Sequence, residues 1–409
     1  MLHAQKIIKP PVSAIAPGIL SLAAISEHIV VSAKYAGHVN LTYVNAEKDL
    51  DKSKQTTSLY NIIISPTTEL SVRDQTLYCV GMNSFLIINF KELIDIYQKT
   101  YGDKPYGSLT NQRSIQKWNA TIKKYAELTK NQFCSQIDFP EVTGIISFRV
   151  DCNDGRLELM LLRQFKYGYV IDFVNNKKIK WFHKNIFNFN FERTANKYVS
   201  PATLPEWEYP VRLTVINPVY NYIITVKNEI KHNANVTDSY CSVEFKTYSF
   251  SNINKNIELK LKLVSEYRCN ELYTHTHRLP VVKKIKFSPC GKYLLCIHRN
   301  YTLSLHAMDS QGNFNFLWSR EITLKPNLID HSSAVASAWA VACFSADSNY
   351  IAVTCEEHGA FVISTADGDD VFFAVEKDNS ANTSFTALGF SPTGNKLFAA
   401  DVAGNLLVY

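Results

Sequence analysis

The chain has 409 residues, of which 46% are hydrophobic and 20% charged, with a formal net charge of +6. That is an ordinary globular composition, and the charge excess is too mild for this length to demand a nucleic-acid partner. No run approaches the roughly 20 apolar residues that a membrane-crossing helix needs.

The N-terminus carries Lys6 and Lys9 ahead of the apolar stretch Val12 to Leu20. Pro10, Pro11, Pro17 and Gly18 would break a signal-peptide helix there, so a strand with its lead-in is expected. Ile19 to Ala24, His28 to Ala33 and His38 to Val44 alternate as three strands, and Asn45 to Thr57 reads as a charged loop. Tyr60 to Ser65, Thr76 to Gly81 and Ser84 to Phe90 read as a second group.

The period then changes. Ile115, Trp118, Ile122, Tyr125 and Leu128 recur at intervals of three and four, one apolar stripe of an amphipathic helix. Residues 91–139 are therefore expected to be a helical insertion in a β-rich chain, with a loop over Gly102 to Thr110. Strands resume at Gly144 to Val150, Leu157 to Arg163, Gly168 to Val174 and Lys178 to Phe182, with Asn153-Asp154-Gly155 as a hairpin turn. A fourth group takes Val211 to Ile216, Tyr222 to Lys227, Ser242 to Tyr248 and Ile257 to Val264. A fifth starts with Val281 to Phe287, Tyr293 to His298 and Thr302 to Ala307, and ends with Phe314 to Arg320. A sixth runs over Ala338 to Phe344, Tyr350 to Thr354, Ala360 to Ser364 and Val371 to Val375. A seventh has only Phe385 to Phe390, Lys396 to Ala400 and Asn405 to Tyr409. Its missing outer strand is expected to come from Lys6 to Ile8, because a bare apolar edge is an aggregation liability.

One turn recurs through these groups. Phe287-Ser288-Pro289-Cys290-Gly291 matches Phe390-Ser391-Pro392-Thr393-Gly394; Phe344-Ser345-Ala346-Asp347-Ser348 lacks the Pro and Gly; Ile216-Asn217-Pro218 is a weaker copy. The copies begin at 216, 287, 344 and 390. Units of about 40 to 50 residues with four short strands each, lengthened by loop insertions, are the signature of a β-propeller. On these residues the chain resembles the WD-repeat family, most closely over residues 281–409. The resemblance implies an all-β, seven-bladed, WD40-like propeller occupying residues 1–409 as one domain. The family's Trp-Asp dipeptide is absent: Leu305-His306-Ala307, Val362-Ile363-Ser364 and Leu407-Val408-Tyr409 stand in its place. Ser242 to Phe245, Leu259 to Leu261 and Val281 to Leu305 are also similar to part of the propeller subunit of the Golgi Rab exchange-factor complex, which implies a role in vesicle traffic.

Nine cysteines are scattered without a Cys-x-x-Cys pair, which favours a reducing, intracellular compartment, cytoplasmic or nuclear. Cys269, His275 and His277 offer three metal-ligating side chains and no near fourth, so no metal site is expected. Asp330-His331 beside Ser332-Ser333 holds the residue types of a hydrolytic triad, but adjacent residues cannot adopt its geometry. With only 15 glycines there is also no phosphate-cradling loop, and no cofactor is expected.

Two candidate binding sites remain. Trp118, Ile122 and Tyr125 either pack the helix on the propeller or present it to a partner. Lys177, Lys178, Lys180 and Lys184 interleave with Trp181 and Phe182, as a phosphate-binding patch or as a solvated strand edge. The expected function is a non-catalytic scaffold that binds other proteins within a multisubunit complex. The alternatives are a nucleic-acid-associated propeller using the basic patch, and an enzyme-type propeller.

Overall fold

The computed structural model describes residues 2–3, 6–8, 19–27, 29–34, 38–44, 56–63, 67–73, 76–81, 84–89, 134–138, 145–153, 156–163, 168–172, 177–181, 212–231, 240–250, 261–269, 282–298, 302–322, 341–355, 359–375, 385–401 and 404–409. Every regular element among them is a strand, and the strands form seven sheets. The chain divides into two compact units, Met1–Gly144 with Ala340–Ser364 and Asp369–Tyr409, and Ile145–Trp339 with Thr365–Gly368.

In the first unit, sheet 1 runs in order through Ile19–Ala24, Ile29–Lys34, His38–Tyr43 and Thr56–Ile63. Sheet 2 is Thr67–Arg73, Thr76–Gly81, Ser84–Asn89 and Cys134–Asp138. Sheet 6 is Ala342–Phe344, Tyr350–Cys355, Gly359–Ser364 and Asp370–Val375, with Leu2–His3 added in parallel at its outer edge. Sheet 7 is Phe385–Phe390, Leu397–Asp401 and Leu406–Val408, completed by Lys6–Ile8. Antiparallel neighbours can be joined by tight turns, as between Thr67–Arg73 and Thr76–Gly81.

First strands pack against one another. Ile19–Ala24 lies beside Phe385–Phe390 on one side and Thr67–Arg73 on the other, and Ala342–Phe344 lies beside Phe385–Phe390. Apolar side chains fill the space between sheets: Val362, Phe385, Leu388, Leu397 and Leu407 between sheets 6 and 7, and Ile19, Leu22, Val30, Phe398 and Val408 between sheets 7 and 1. Polar contacts add to this at the rims. The Leu70 N–H donates to Ser21 Oγ at 2.9 Å, and Thr393 donates from its N–H at 3.1 Å and its hydroxyl at 2.7 Å to one Glu27 carboxylate oxygen.

The second unit holds sheet 3, Ile145–Asn153, Arg156–Arg163, Gly168–Asp172 and Lys177–Trp181. Sheet 4 is Arg212–Ile216, Tyr222–Lys231, Tyr240–Phe250 and Leu261–Cys269. Sheet 5 is Val282–Phe287, Tyr293–His298, Thr302–Met308 and Phe314–Glu321. Their first strands again lie side by side in chain order. Ile224, Val226, Phe245, Leu294, Cys296 and Phe314 form the core between sheets 4 and 5. Phe245 is nearly fully buried, and truncating such a side chain to Ala costs about 3–5 kcal/mol.

The middle strands of sheet 5 are buried on both faces, whereas its outer strand Phe314–Glu321 is only partly covered. A strand buried on both faces belongs to a sheet covered on both sides. Consecutive four-stranded meanders, stacked through their first strands and open at their fourth, are the blades of a β-propeller. The fold class is therefore the one expected from the repeated turn.

Several assignments differ from expectation. The outer strand of sheet 4 is Leu261–Cys269, reaching five residues beyond the expected Ile257 to Val264. Thr56–Ile63 is the outer strand of sheet 1 and sheet 2 starts at Thr67, whereas residues 60–65 are expected in the second group, because polar Asn45 to Thr57 obscures where sheet 1 ends. Cys134–Asp138 pairs with Ser84–Asn89 as the outer strand of sheet 2, so the expected insertion 91–139 is too long at its C-terminal end. The rest of that segment lies outside the described residues. Leu2–His3, which carries no alternation of its own, is an additional strand of sheet 6.

Candidate functional site

The recurring turn shares one main-chain hydrogen bond at all four copies. The N–H of Ser288, Ser345, Ser391 and Asn217 donates to the carbonyl five residues on, at 2.9 Å in each case. In the serine copies the hydroxyl accepts the returning N–H of Tyr293, Tyr350 or Lys396 at 3.1, 2.9 and 3.1 Å. Gly291 and Gly394 then adopt φ of +72° and +77°, and Ser348 holds the same position at φ 66°. These serines are committed to main-chain bonds.

A second turn type also recurs. Asp309 and Asp401 each precede Gly and Asn at the same spacing, Asp-x-x-Gly-Asn. One carboxylate oxygen of each accepts the Asn N–H, at 2.9 and 2.8 Å, and the other accepts the Asn side-chain amide, at 2.9 and 2.6 Å. The Asn313 side chain chiefly holds the Asp309 carboxyl below its usual range. The identical spacing was the signal available.

A buried polar group lies in sheet 5. Ser304 Oγ stands 2.8 Å from His298 Nε2 and 3.0 Å from His306 Nε2. Period-two alternation puts Ser304 and His306 on one face of their strand. The His306 ring packs on Phe245, Phe316 and Tyr267, with centroids 4.6, 5.7 and 6.1 Å away. Burial, and then the neighbouring His298, push His306 down to about 3, so the ring is neutral. Burial also pushes the Cys296 thiol up, against the opposing hydrogen bond from Ser304. Ser304 and His306 have no exposed surface, so the cluster joins strands and meets no substrate from solvent. His306 falls in the tripeptide that replaces the missing Trp-Asp.

Lys177, Lys178 and Lys180 lie on the outer strand of sheet 3, whose register sets Lys177 opposite Asp172 and Lys180 opposite Tyr169. Lys184, Trp118, Ile122 and Tyr125 lie outside the described residues, as do His275, His277 and residues 330–333. Cys269 ends a strand of sheet 4 with its thiol buried. Among the described residues no three His, Cys, Asp or Glu side chains converge as metal ligands, and no helix is long and apolar enough to cross a membrane.

The outer strand of sheet 4 has a different surface. Leu263 and Val264 are adjacent and each is 43% exposed. The register shifts there, with Thr247 opposite Ser265 and Tyr248 opposite Leu263, so Val264 is the extra residue of a β-bulge. Beside it runs a ladder of charge: Lys246 lies 2.9 Å from Glu266 and 3.6 Å from Glu244, and Arg268 lies 3.4 Å from Glu244. The Glu266 hydrogen bond raises the Lys246 ammonium above its usual range. Strict alternation would have turned one of the two apolar residues inward; the bulge, invisible in the sequence, exposes both.

No family model matches the chain, and no curated protein is similar to it in sequence. Among solved structures, it is similar to the Cps50 (Swd1) β-propeller domain from Myceliophteria thermophila, with a TM-score of 0.49 and 8% identity over 96% of this chain and 95% of that one.

Proposed function

We propose that residues 1–409 form one WD-type propeller domain that serves as a non-catalytic scaffold, binding other proteins as a subunit of a larger intracellular complex. The observation that carries this reading is the outer strand of sheet 4. Leu263 and Val264 present adjacent apolar surface rimmed by the Lys246, Glu244, Glu266 and Arg268 ladder. An apolar centre with a charged rim is the composition of a protein-binding patch. The turn serines and aspartates, which could otherwise be nominated for chemistry, accept main-chain N–H groups instead. The order of strands over Ser242 to Phe245, Leu259 to Leu261 and Val281 to Leu305, which resembles that of the Golgi Rab exchange-factor propeller, is the reason for proposing vesicle traffic as the setting.

The test is affinity capture of the full-length protein, cross-linked before purification, in parallel with a Leu263→Lys/Val264→Lys variant. The reading expects a stoichiometric protein partner that the variant loses while its melting temperature stays unchanged. A parent protein that captures nothing overturns it. So does captured material that nuclease treatment removes, which would favour nucleic-acid binding through the Lys177 to Lys184 patch.

A further inference from the structure

One short segment closes the outer edges of two successive sheets. Leu2–His3 pairs in parallel with the outer strand of sheet 6, Leu2 opposite Ala374 and His3 opposite Val375. Lys6–Ile8 pairs antiparallel with sheet 7, Lys6 opposite Val408, Ile7 opposite Leu407 and Ile8 opposite Leu406. All of this lies within the first unit. The attachment is slight on sheet 6, where only two positions of Asp370–Val375 are paired to it. No other described strand lies beside the remainder of that edge, where Val371 is 49% exposed.

Main-chain pairing recognises an extended segment by register, and an element held by a few pairs at a sheet edge opens at far lower cost than the whole fold. Ten residues separate Lys6–Ile8 from Ile19–Ala24, among them Pro10, Pro11 and Pro17. A chain of ten residues can span at most about 33–36 Å. The one occupant whose fit is already given, residue for residue, is the same segment from a second copy. Exchange of an identical element between copies creates no new interface chemistry and costs little.

We propose that Leu2–Ile8 is an exchangeable strap: in a dimer, the strap of each copy closes sheets 6 and 7 of the other. The outer edges of Asp370–Val375 and Leu406–Val408 are then the interaction surface, and a second copy of this chain is the partner.

The test uses full-length Ile7→Cys and Leu407→Cys variants, singly and combined. Directly opposed antiparallel positions suit a disulfide. The two single variants, mixed at high concentration and oxidised, are expected to give a disulfide-linked dimer well above the native-cysteine background of either alone. The double variant, oxidised when dilute, is expected to lock as a monomer that no longer doubles in mass on concentration. Lys6→Cys with Val408→Cys repeats the test should the first pair fail to fold. A mixture no richer in linked dimer than either single variant, while the double variant locks internally, overturns the proposal. A double variant that folds but forms no internal disulfide overturns the pairing itself.

Discussion

The Asn217 side-chain amide donates to the Gly291 carbonyl at 2.7 Å, fully buried, and so ties the first turn of sheet 4 to the equivalent turn of sheet 5. Its Oδ1 meanwhile accepts the Val219 and Tyr220 N–H groups at 2.9 and 2.8 Å. Asn stands here where the other copies have Ser, and its longer side chain does two jobs. Asn217→Ala leaves a buried carbonyl and two amides without that partner, and is expected to cost about 2–4 kcal/mol in urea unfolding. Asn217→Ser, the residue of the other copies, keeps an acceptor beside the turn's N–H groups and loses the reach to the Gly291 carbonyl, so it separates the two jobs. A loss as large as that of Ala would assign the stability to the link between sheets.

Gly291 and Gly394 permit a matched comparison. Both have left-handed φ, but a Cβ at Gly291 would stand 2.6 Å from Asn217 Oδ1, and one at Gly394 would meet nothing within 4 Å. Gly394→Ala is expected to cost about 1–2 kcal/mol, the backbone cost alone. Gly291→Ala should cost about 1–3 kcal/mol more through overpacking. Equal melting temperatures for the two variants would contradict the close approach.

His306 makes stability depend on pH. Burial, followed by His298, depresses its folded pKa from 6.5 to about 3. The unfolded chain therefore binds a proton that the folded one refuses. Stability is complete above about pH 6.5 and declines as pH falls toward 3, by up to a few kcal/mol. His306→Phe removes the titrating ring and keeps an aromatic in the Phe245 and Phe316 surround, so its stability should fall less over this interval. Ser304→Ala takes the shared partner from both Nε2 atoms, and should cost about 2–4 kcal/mol at neutral pH. Urea midpoints measured across the pH range check both.

Asp309 works in the opposite chemical sense. Its carboxylate is stabilised chiefly by the Asn313 side chain, then by the Asn313 N–H, so its pKa is depressed. The turn's contribution is complete above the unfolded carboxyl pKa and is lost as pH falls through the lower folded value. Asn313→Ala should raise the Asp309 midpoint in a carbon-detected NMR titration. An unmoved midpoint would show that the side-chain bond is not formed in solution.

How far the sequence led depended on whether a feature was local. The Ser-x-x-Gly turns were legible because Gly291 and Gly394 need a residue that accepts positive φ, and Ser288 and Ser391 mark the hydrogen-bonded corner. Lys6–Ile8 could be assigned to sheet 7 because Leu406–Val408 was left with an apolar edge. The outer strands were harder. Thr56–Ile63 and Cys134–Asp138 are outer strands of mixed composition, where period two is diluted and neighbouring loops look alike. The exposed pair Leu263 and Val264 depends on a bulge set by pairing with Thr247 and Tyr248, partners distant in sequence. The His298, Ser304 and His306 group has the same origin: Ser304 and His306 share a strand face, but only tertiary packing against Phe245 and Tyr267 makes it buried.

The strap supplies the last prediction. Removing residues 1–8 strips sheet 7 of its outer strand and bares the edge of Leu406–Val408, whose side chains are buried on both faces, Leu406 and Val408 towards sheet 1 and Leu407 towards sheet 6. Three antiparallel and two parallel positions are lost together. At roughly 0.5–1.5 kcal/mol per hydrogen bond, with apolar surface exposed besides, the expected cost is about 2–4 kcal/mol. Removing residues 1–4 takes only the pairing to Ala374 and Val375 and should cost about 1 kcal/mol or less. The order follows from the register: sheet 7 has three strands without the strap, whereas sheet 6 has four. An exposed three-stranded edge also invites pairing between molecules, so the longer truncation should aggregate faster on heating. Urea unfolding at several protein concentrations measures the two losses and detects any exchange of straps. If the two truncations lose equal stability, Lys6–Ile8 does not hold the edge of Leu406–Val408.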